Sequence, residues 1–366
     1  MNATTASRPG TGDPGPDTTS PPPEGPPETL HGARSVIPAH CYSRPAGRAA
    51  WTIVRAVAVY AAAVALLVVT DAVWLLVPLW ALSGLALSSL FILAHDAAHG
   101  ALFGNDRLNA TLGRILMLPH LHVYSGWVVG HNRLHHGHTV RETADFVWHP
   151  ATVDEYRDLS PLGRLRHRIE WGPLGAGLYY TRVVWWQKMM TTNAPAKHRA
   201  KVRADLALVV AYALATTALA VTLGALAGGS LTAGLWMALK VLVIPWAVFM
   251  FIIGWTVYVH HIAADIKWWP RPTWNGFHGQ VEGTTILHVV PPLNVFFLNI
   301  FIHVPHHVDA RIPFHALPDA ADAIVDAYGD AVTEKPLRIR DYVHNVRRCK
   351  LYDFDDQTWL PYSAAR

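Results

Sequence analysis

Four runs of apolar residues dominate the chain, at 53–70, 72–94, 206–227 and 235–259. Each approaches the roughly 20 residues that an α-helix needs to cross a hydrocarbon core of about 30 Å. Little more than Asp71 separates the first two runs, and Ala227–Gly234 separates the last two. Connections this short force antiparallel neighbours, so each pair reads as a hairpin whose two ends return to one side. The expected fold is an all-α integral membrane protein, with four transmembrane helices in two hairpins and a helical cap on one side. Four such runs in 366 residues are too many for the buried core of a soluble protein.

Polar positions set the sidedness. The connection from His95 to Ala204 carries fourteen Arg plus Lys, and the two hairpin tips carry none. Lys240 falls about a turn and a half inside the fourth run, close enough to the tip to snorkel outward. The positive-inside rule then places the N-terminus, the central connection and the C-terminal third in the cytoplasm. The stretch Ile286–Ile302 is apolar but interrupted by Pro291-Pro292, and reads as an interfacial or half-buried helix. Residues 108–121 suggest another. Residues 1 to about 30 hold eight prolines and almost nothing apolar, a composition that cannot offset its ordering entropy. With the boundary drawn at the first span, the expected domains are a disordered tail over 1–45 and a membrane domain over 46–366.

Composition narrows the chemistry. Hydrophobic residues make up 51% of the chain and charged residues 15%, which fits a membrane protein and excludes a charged disordered one. Cys41 and Cys349 stand far apart and exclude a cysteine zinc finger, an iron–sulfur cluster and a disulfide framework. A net charge of +4 spread over a largely apolar chain gives no nucleic-acid surface. The 22 histidines, against 26 Asp plus Glu, point to chemistry done by imidazole.

Eight of them form three clusters. His95 and His99 stand four apart where the second run ends. His131, His135 and His136 repeat that spacing with an adjacent ring. His303, His306 and His307 offer partners three and four apart, and Pro305 requires His303 to sit at a helix start. Residues four apart on a helix share a face, so each cluster aims its rings one way. Hairpin parity puts all three on the cytoplasmic side. Neutral imidazole suits Fe, Zn and Cu, and eight ligands exceed one tetrahedral site twofold, so a two-metal centre fits the count. Soluble di-iron bundles use pairs of Glu-x-x-His motifs, and the sequence has no such pair. Lone histidines such as His122, His167 and His198 read as interfacial.

The order HxxxH, HxxxHH, HxxHH with apolar hairpins between the boxes resembles the integral-membrane fatty acid desaturase superfamily. Within it, the chain is most similar to bacterial and cyanobacterial acyl-lipid (omega-6-type) desaturases. The similarity rests on "HNRLHHGHT" from His131, "DFVWHP" from Asp145, "HVPHHVDARIPFHAL" from His303 and "CKLYDFDDQTW" from Cys349. It runs from about residue 50 to the C-terminus. The chain departs from many members in having Ala97-Ala98 in the first box and three residues before the His pair of the second.

The resemblance implies a bacterial plasma-membrane enzyme with both termini cytoplasmic. It also implies two iron ions ligated by His95, His99, His131, His135, His136, His303, His306 and His307. A ninth ligand is expected upstream of the third box, with His288 favoured over His261 and Asn299. Asp96, His138, Asp145 and Asp309 are candidates to orient the ligating rings. The implied reaction uses O2 as co-substrate to place a cis double bond in an acyl chain carried on a lipid or a thioester. An unactivated C–H bond offers nothing to a nucleophile or an acid–base pair, so a redox metal is required. The sequence shows no cytochrome b5 HPGG motif and no GxGxxG, so electrons are expected from a separate ferredoxin-like protein. Arg164, Arg166, Arg168, Lys197, Arg199, Lys201 and Arg203 are available either to that partner or to membrane lipids. Trp127, Tyr179, Tyr180, Trp185, Trp186 and Trp255 are available to line an acyl channel. A di-iron hydroxylase or ketolase of fatty acids, alkanes or carotenoids shares these boxes. A non-catalytic membrane metal-binding protein is a further alternative.

Overall fold

The computed structural model of the chain describes residues 26–190 and 194–366. A short helix α1 (Leu30–Ser35) precedes the first hairpin, α2 (Ala46–Val69) and α3 (Val73–Ala98), with α4 (Asp106–Met117) following it. The second hairpin is α5 (Ala196–Gly228) and α6 (Leu231–His261). All four long helices are long and apolar enough to cross a membrane, and they match the four predicted runs to within one residue at the first turn. The chain reverses between α5 and α6 at Gly229, whose φ of +64° is the left-handed conformation a glycine adopts freely. Ser230 then caps α6, its hydroxyl accepting from the Ala233 amide.

The two tips are tied together. Lys240 is fully buried, yet its Nζ donates to Asp71 Oδ1 at 2.7 Å and to the Thr70 carbonyl at 3.0 Å. Trp236 Nε1 donates to the same carboxylate at 2.8 Å, and Trp80 Nε1 to the Lys240 carbonyl at 2.9 Å. Lys240 therefore reaches toward the tip as its position suggested, and both tips lie at one end of the bundle. Helix parity sends the opposite ends of α3 and α6, with His95 and His261, to the other. Between them α3 and α6 pack closely, since a Cβ on Gly84 would meet Val248 Cγ1 at 2.5 Å.

The cap over that second end is helical, with two small sheets. Strand β1 (Thr285–His288) pairs in parallel with β2 (Thr333–Pro336), and β3 (Leu351–Asp353) in antiparallel with β4 (Thr358–Leu360). The third histidine cluster forms α7 (His303–Val308), and α8 (Leu317–Tyr328) packs beside it. His303 is the first residue of α7, as Pro305 demands. A main core runs from the membrane helices into the cap through Tyr180, Tyr258 and Trp268.

Two expectations need correction. The boundary of the tail at residue 45 is too late. Residues before 26 lie outside the described residues, but α1 and the 3-10 turn Ala39–Tyr42 pack into a second core, where Ala33 and Cys41 are fully buried beside Phe277 and Val304. Apolar residues resume at Leu30, and their burial offsets the ordering that the proline-rich stretch could not. Nor is 286–302 one helix. It begins as β1, continues as a short helix Pro291–Phe297, and turns where Leu298 and Asn299 take positive φ. Pro291 opens that helix because its missing N–H is no loss there.

The tip lock gives a test. Asp71→Ala leaves the buried Lys240 ammonium with only carbonyl support, and is expected to lower thermal stability in detergent by about 1–3 kcal/mol. Lys240→Met should cost less, and adding it to Asp71→Ala should recover part of the loss, which a double-mutant cycle measures.

Candidate metal centre

Each histidine cluster is placed by its own backbone. His95 lies in the last turn of α3, and the His99 amide closes that turn on the His95 carbonyl at 3.1 Å. The second cluster does not follow the α spacing expected of it. Val128–His135 is wound as a π-helix, with the His136 amide bonded to the His131 carbonyl five residues back. The wider turn brings His131 and His136 together and swings His135 to the other side. Such turns recur at functional sites because they re-aim side chains within a helix.

The rings converge. Ligand nitrogens of His95, His99, His131, His136 and His306 lie within 4.8 Å of one another, and those of His135, His261 and His307 do likewise. His303 lies beside both groups, stacked on His260 at 3.8 Å between ring centroids and 4.7 Å from His307. Seven of the eight predicted box residues thus stand in one group or the other, and the eighth is in ring contact. All three boxes meet at one end of the bundle.

The donor chemistry fits a metal. His95 Nε2 lies 2.9 Å from His131 Nε2, which lies 3.2 Å from His136 Nε2, which lies 3.1 Å from His306 Nε2. Each neutral imidazole nitrogen either donates its one proton or accepts, so at most two protons serve these three close contacts. A cation between the rings would relieve that shortfall. His99, His261 and His307 each have a buried Nε2 with no hydrogen-bond partner among the described residues. Outer contacts orient the rings: His135 Nδ1 donates to Asp145 at 2.9 Å, His307 Nδ1 to Gln280 Oε1 at 2.9 Å and His261 Nδ1 to the Gly283 carbonyl at 3.0 Å. Each fixes the tautomer that leaves Nε2 free to ligate. Burial pushes His131, His136, His303, His306 and His307 well below the usual imidazole pKa, and neighbouring rings push them further. They stand in the neutral form that binds metal.

Four auxiliary expectations divide. Asp145 buttresses His135, and it also accepts from the Val140 and Val147 amides. Asp96 stands 3.4 Å from His95 Nδ1 and accepts from the Phe314 amide at 2.8 Å. Asp309 instead pairs with Arg311 and accepts from Tyr42, and His138 packs edge-on to Trp274. Neither touches the converging rings. The favoured ninth histidine is misplaced. His288 ends β1, half exposed, with Nε2 on Glu334 at 2.6 Å. An apolar sequence setting suggested burial, but a strand edge turned the ring to solvent. His261, the lesser candidate, fills the second group. His260 and Gln280 went unrecognised: His260 had the end of a span as its signal, and Gln280 had none.

One side of this nest opens into a narrow cavity. Beyond the rings its walls are mostly apolar, among them Phe91, Ile92, Val184, Ile253 and Val257, and Lys188 is the one charged group. Of the aromatics available for a channel, Trp127 and Tyr180 line it and the other four do not. On another side a polar surface depression reaches His99, His136 and His307 between Arg34, Asn132 and Gln280.

The sequence model of the fatty acid desaturase family matches residues 72–334, which hold all three boxes and three of the four spans. The chain belongs to the fatty acid desaturase family. It is 26% identical to the sn-1 oleoyl-lipid 12-desaturase of Synechocystis sp., over 87% of each chain. It is 30% identical to the Arthrospira platensis protein of the same description, over 67% of each. To the chloroplastic omega-6 fatty acid desaturase of Brassica napus it is 27% identical, over 82% of this chain and 65% of that one. This chain is a membrane-embedded fatty acid desaturase, an oxidoreductase, with histidine clusters able to hold metal.

For the desaturase, His261→Ala is expected to lower bound metal per purified chain, whereas His288→Ala should leave it unchanged. Asp145→Asn should weaken metal binding about 10–100-fold, the usual effect of losing a partner that orients a ligand. Metal analysis after dialysis against graded chelator separates the three.

Proposed function

We propose that the enzyme is an O2-dependent acyl-lipid desaturase that places a cis double bond in a membrane lipid's acyl chain at two histidine-held irons. The observation that carries this reading is the buried imidazole nest facing a narrow cavity with mostly apolar walls. His95, His99, His131, His135, His136, His303, His306 and His307 would hold the irons, with His261 in place of His288. When bound, the irons supply the oxidising power drawn from O2 that an unactivated methylene requires. Two neighbouring methylenes each lose a hydrogen; with O2, two electrons and two protons, these leave as two waters.

The chain's own residues do the rest. Phe91, Ile253 and Val257 exclude water and hold the hydrocarbon beside the rings. Asp145 and Gln280 keep the rings aimed. The names of the relatives favour a lipid-borne acyl chain over a thioester.

Electrons come from a separate donor of ferredoxin type. The polar depression, where His99, His136 and His307 approach the surface beside Arg34, suits its approach. The basic helix Pro161–Glu170 suits lipid better, because Leu162, Leu165 and Ile169 are exposed beside its arginines. By the positive-inside rule this face is cytoplasmic, in a bacterial plasma membrane.

Expression in a host lacking polyunsaturated lipids should yield a new double bond, detected as a loss of two mass units in fatty acid methyl esters. A gain of one oxygen instead would mean hydroxylation. His135→Ala should abolish the product, and unsaturation that survives it would overturn the ligand assignment.

A further inference from the structure

A second apolar cavity lies beneath the first, and a single turn of chain divides them. On α6, Ile253 lines the upper cavity and Trp246 the lower; on α3, Phe91 lines the upper and Leu87 the lower. At 1.5 Å of rise per residue these pairs stand about 10 and 6 Å apart along the helices. The lower cavity is completed by Tyr60, Tyr212, Thr216 and Leu242, on helices that cross the membrane.

The divider is Pro119–His122, the turn that leaves α4. Pro119 and Leu121 face the lower cavity. Trp246 Nε1 donates to the His120 carbonyl at 3.3 Å and Trp185 Nε1 to the Leu121 carbonyl at 2.7 Å. Leu121 holds a φ of +58°, a strained conformation for a branched side chain. His122 Nδ1 donates to the His120 carbonyl at 2.8 Å, and Tyr180, which lines the upper cavity, donates its hydroxyl to His122 Nε2 at 3.0 Å. His120 is wholly buried against Phe249, with ring centroids 5.0 Å apart. A weak contact to the Leu116 carbonyl aside, neither of its ring nitrogens has a hydrogen-bond partner among the described residues.

Strain and a buried, unsatisfied imidazole persist where function requires them, and neither histidine belongs to the converging metal groups. We propose that Pro119–His122 is the floor of the acyl channel. His122, latched to Tyr180, is its specificity-determining residue, limiting how much of the chain's methyl end fits beyond the metal nest. This rests on the upper cavity being the acyl channel. The lower cavity is the space into which a longer chain extends once the floor is opened.

The test compares a series of acyl chains differing by two carbons, supplied to membranes carrying each variant. His122→Ala should raise the product ratio of the longer chain to the native one about tenfold for each two methylenes admitted. Leu121→Gly, which relieves the strained φ and opens the floor, should act in the same direction. Ala213→Trp, filling the lower cavity, should reverse either effect, and His122→Phe should keep the floor shut. A fatty acid with a diazirine at its methyl end should label Pro119–His122 in the metal-free protein, and the lower cavity in Leu121→Gly. That readout needs no turnover, so a wild type that forms no double bond refutes the proposed function while labelling still decides this proposal. Unchanged chain-length preference in an opened variant that accumulates normally would overturn it, as would labelling of another segment.

Discussion

A neutral imidazole carries one proton and one lone pair, and ten of them crowd one buried space at the end of this bundle. That constraint orders the rest of the structure. Each ring nitrogen must be given an acceptor, a donor or a cation, or the burial is too costly to persist. The cap answers on the outer side with Asp145, Gln280 and the carbonyls of Gly283 and Ile300, each accepting an Nδ1 proton. On the inner side it gives no protein partner to His99, His261 or His307, so their Nε2 lone pairs are left open toward the nest. Satisfaction outside and its absence inside are one arrangement. Neutral tautomers with protonated Nδ1 are both the cheapest to bury and the ones that ligate.

The membrane helices make that crowding reproducible. The rings arrive from α3, a π-wound segment, the end of α6 and α7, which are distant in sequence. Without a fixed frame the nest would not close. Gly84 lets α3 and α6 approach at the level of Val248, and the Asp71–Lys240–Trp236 contacts join the tips at the far end. With both ends fixed, the histidine-bearing turns of α3 and α6 have little freedom to separate. Interhelical contacts of small residues do this in membranes because lipid offers no hydrophobic gain for association.

Much of this was legible from sequence, and the failures share a cause. Apolar length fixes a membrane span with little tertiary help, so the four runs fall on the observed helices, off by one residue at the first turn. Histidine spacing located the centre because metal-binding residues cluster more tightly than chance. Direction was harder. His131 and His135 are four apart and fall in different groups because the chain there is π-wound, and no residue pattern announces an extra residue per turn. His288 read as buried because its neighbours are apolar, yet in a strand successive side chains alternate and its ring faces out. Asp309 follows the third box in sequence but is held by Arg311 and Tyr42. Which side chains surround a site is a tertiary fact, and Gln280 shows that sequence need not mark it at all.

The nest is approached from two sides that share no histidine. His95, His131, His135, His260, His261 and His303 border the apolar cavity, whereas His99, His136 and His307 border the polar depression. The division follows from the fold. The cavity lies between α3, α6 and the π-wound segment, where the lining residues other than histidine are mostly apolar, and the depression lies among α1, α7 and the Gln280 turn, which are polar or charged there. Oil-soluble and water-borne reactants would thus reach the nest from different sides, without mixing the two media. The histidines stand between the two openings, some with a face on the apolar cavity and others on the polar depression.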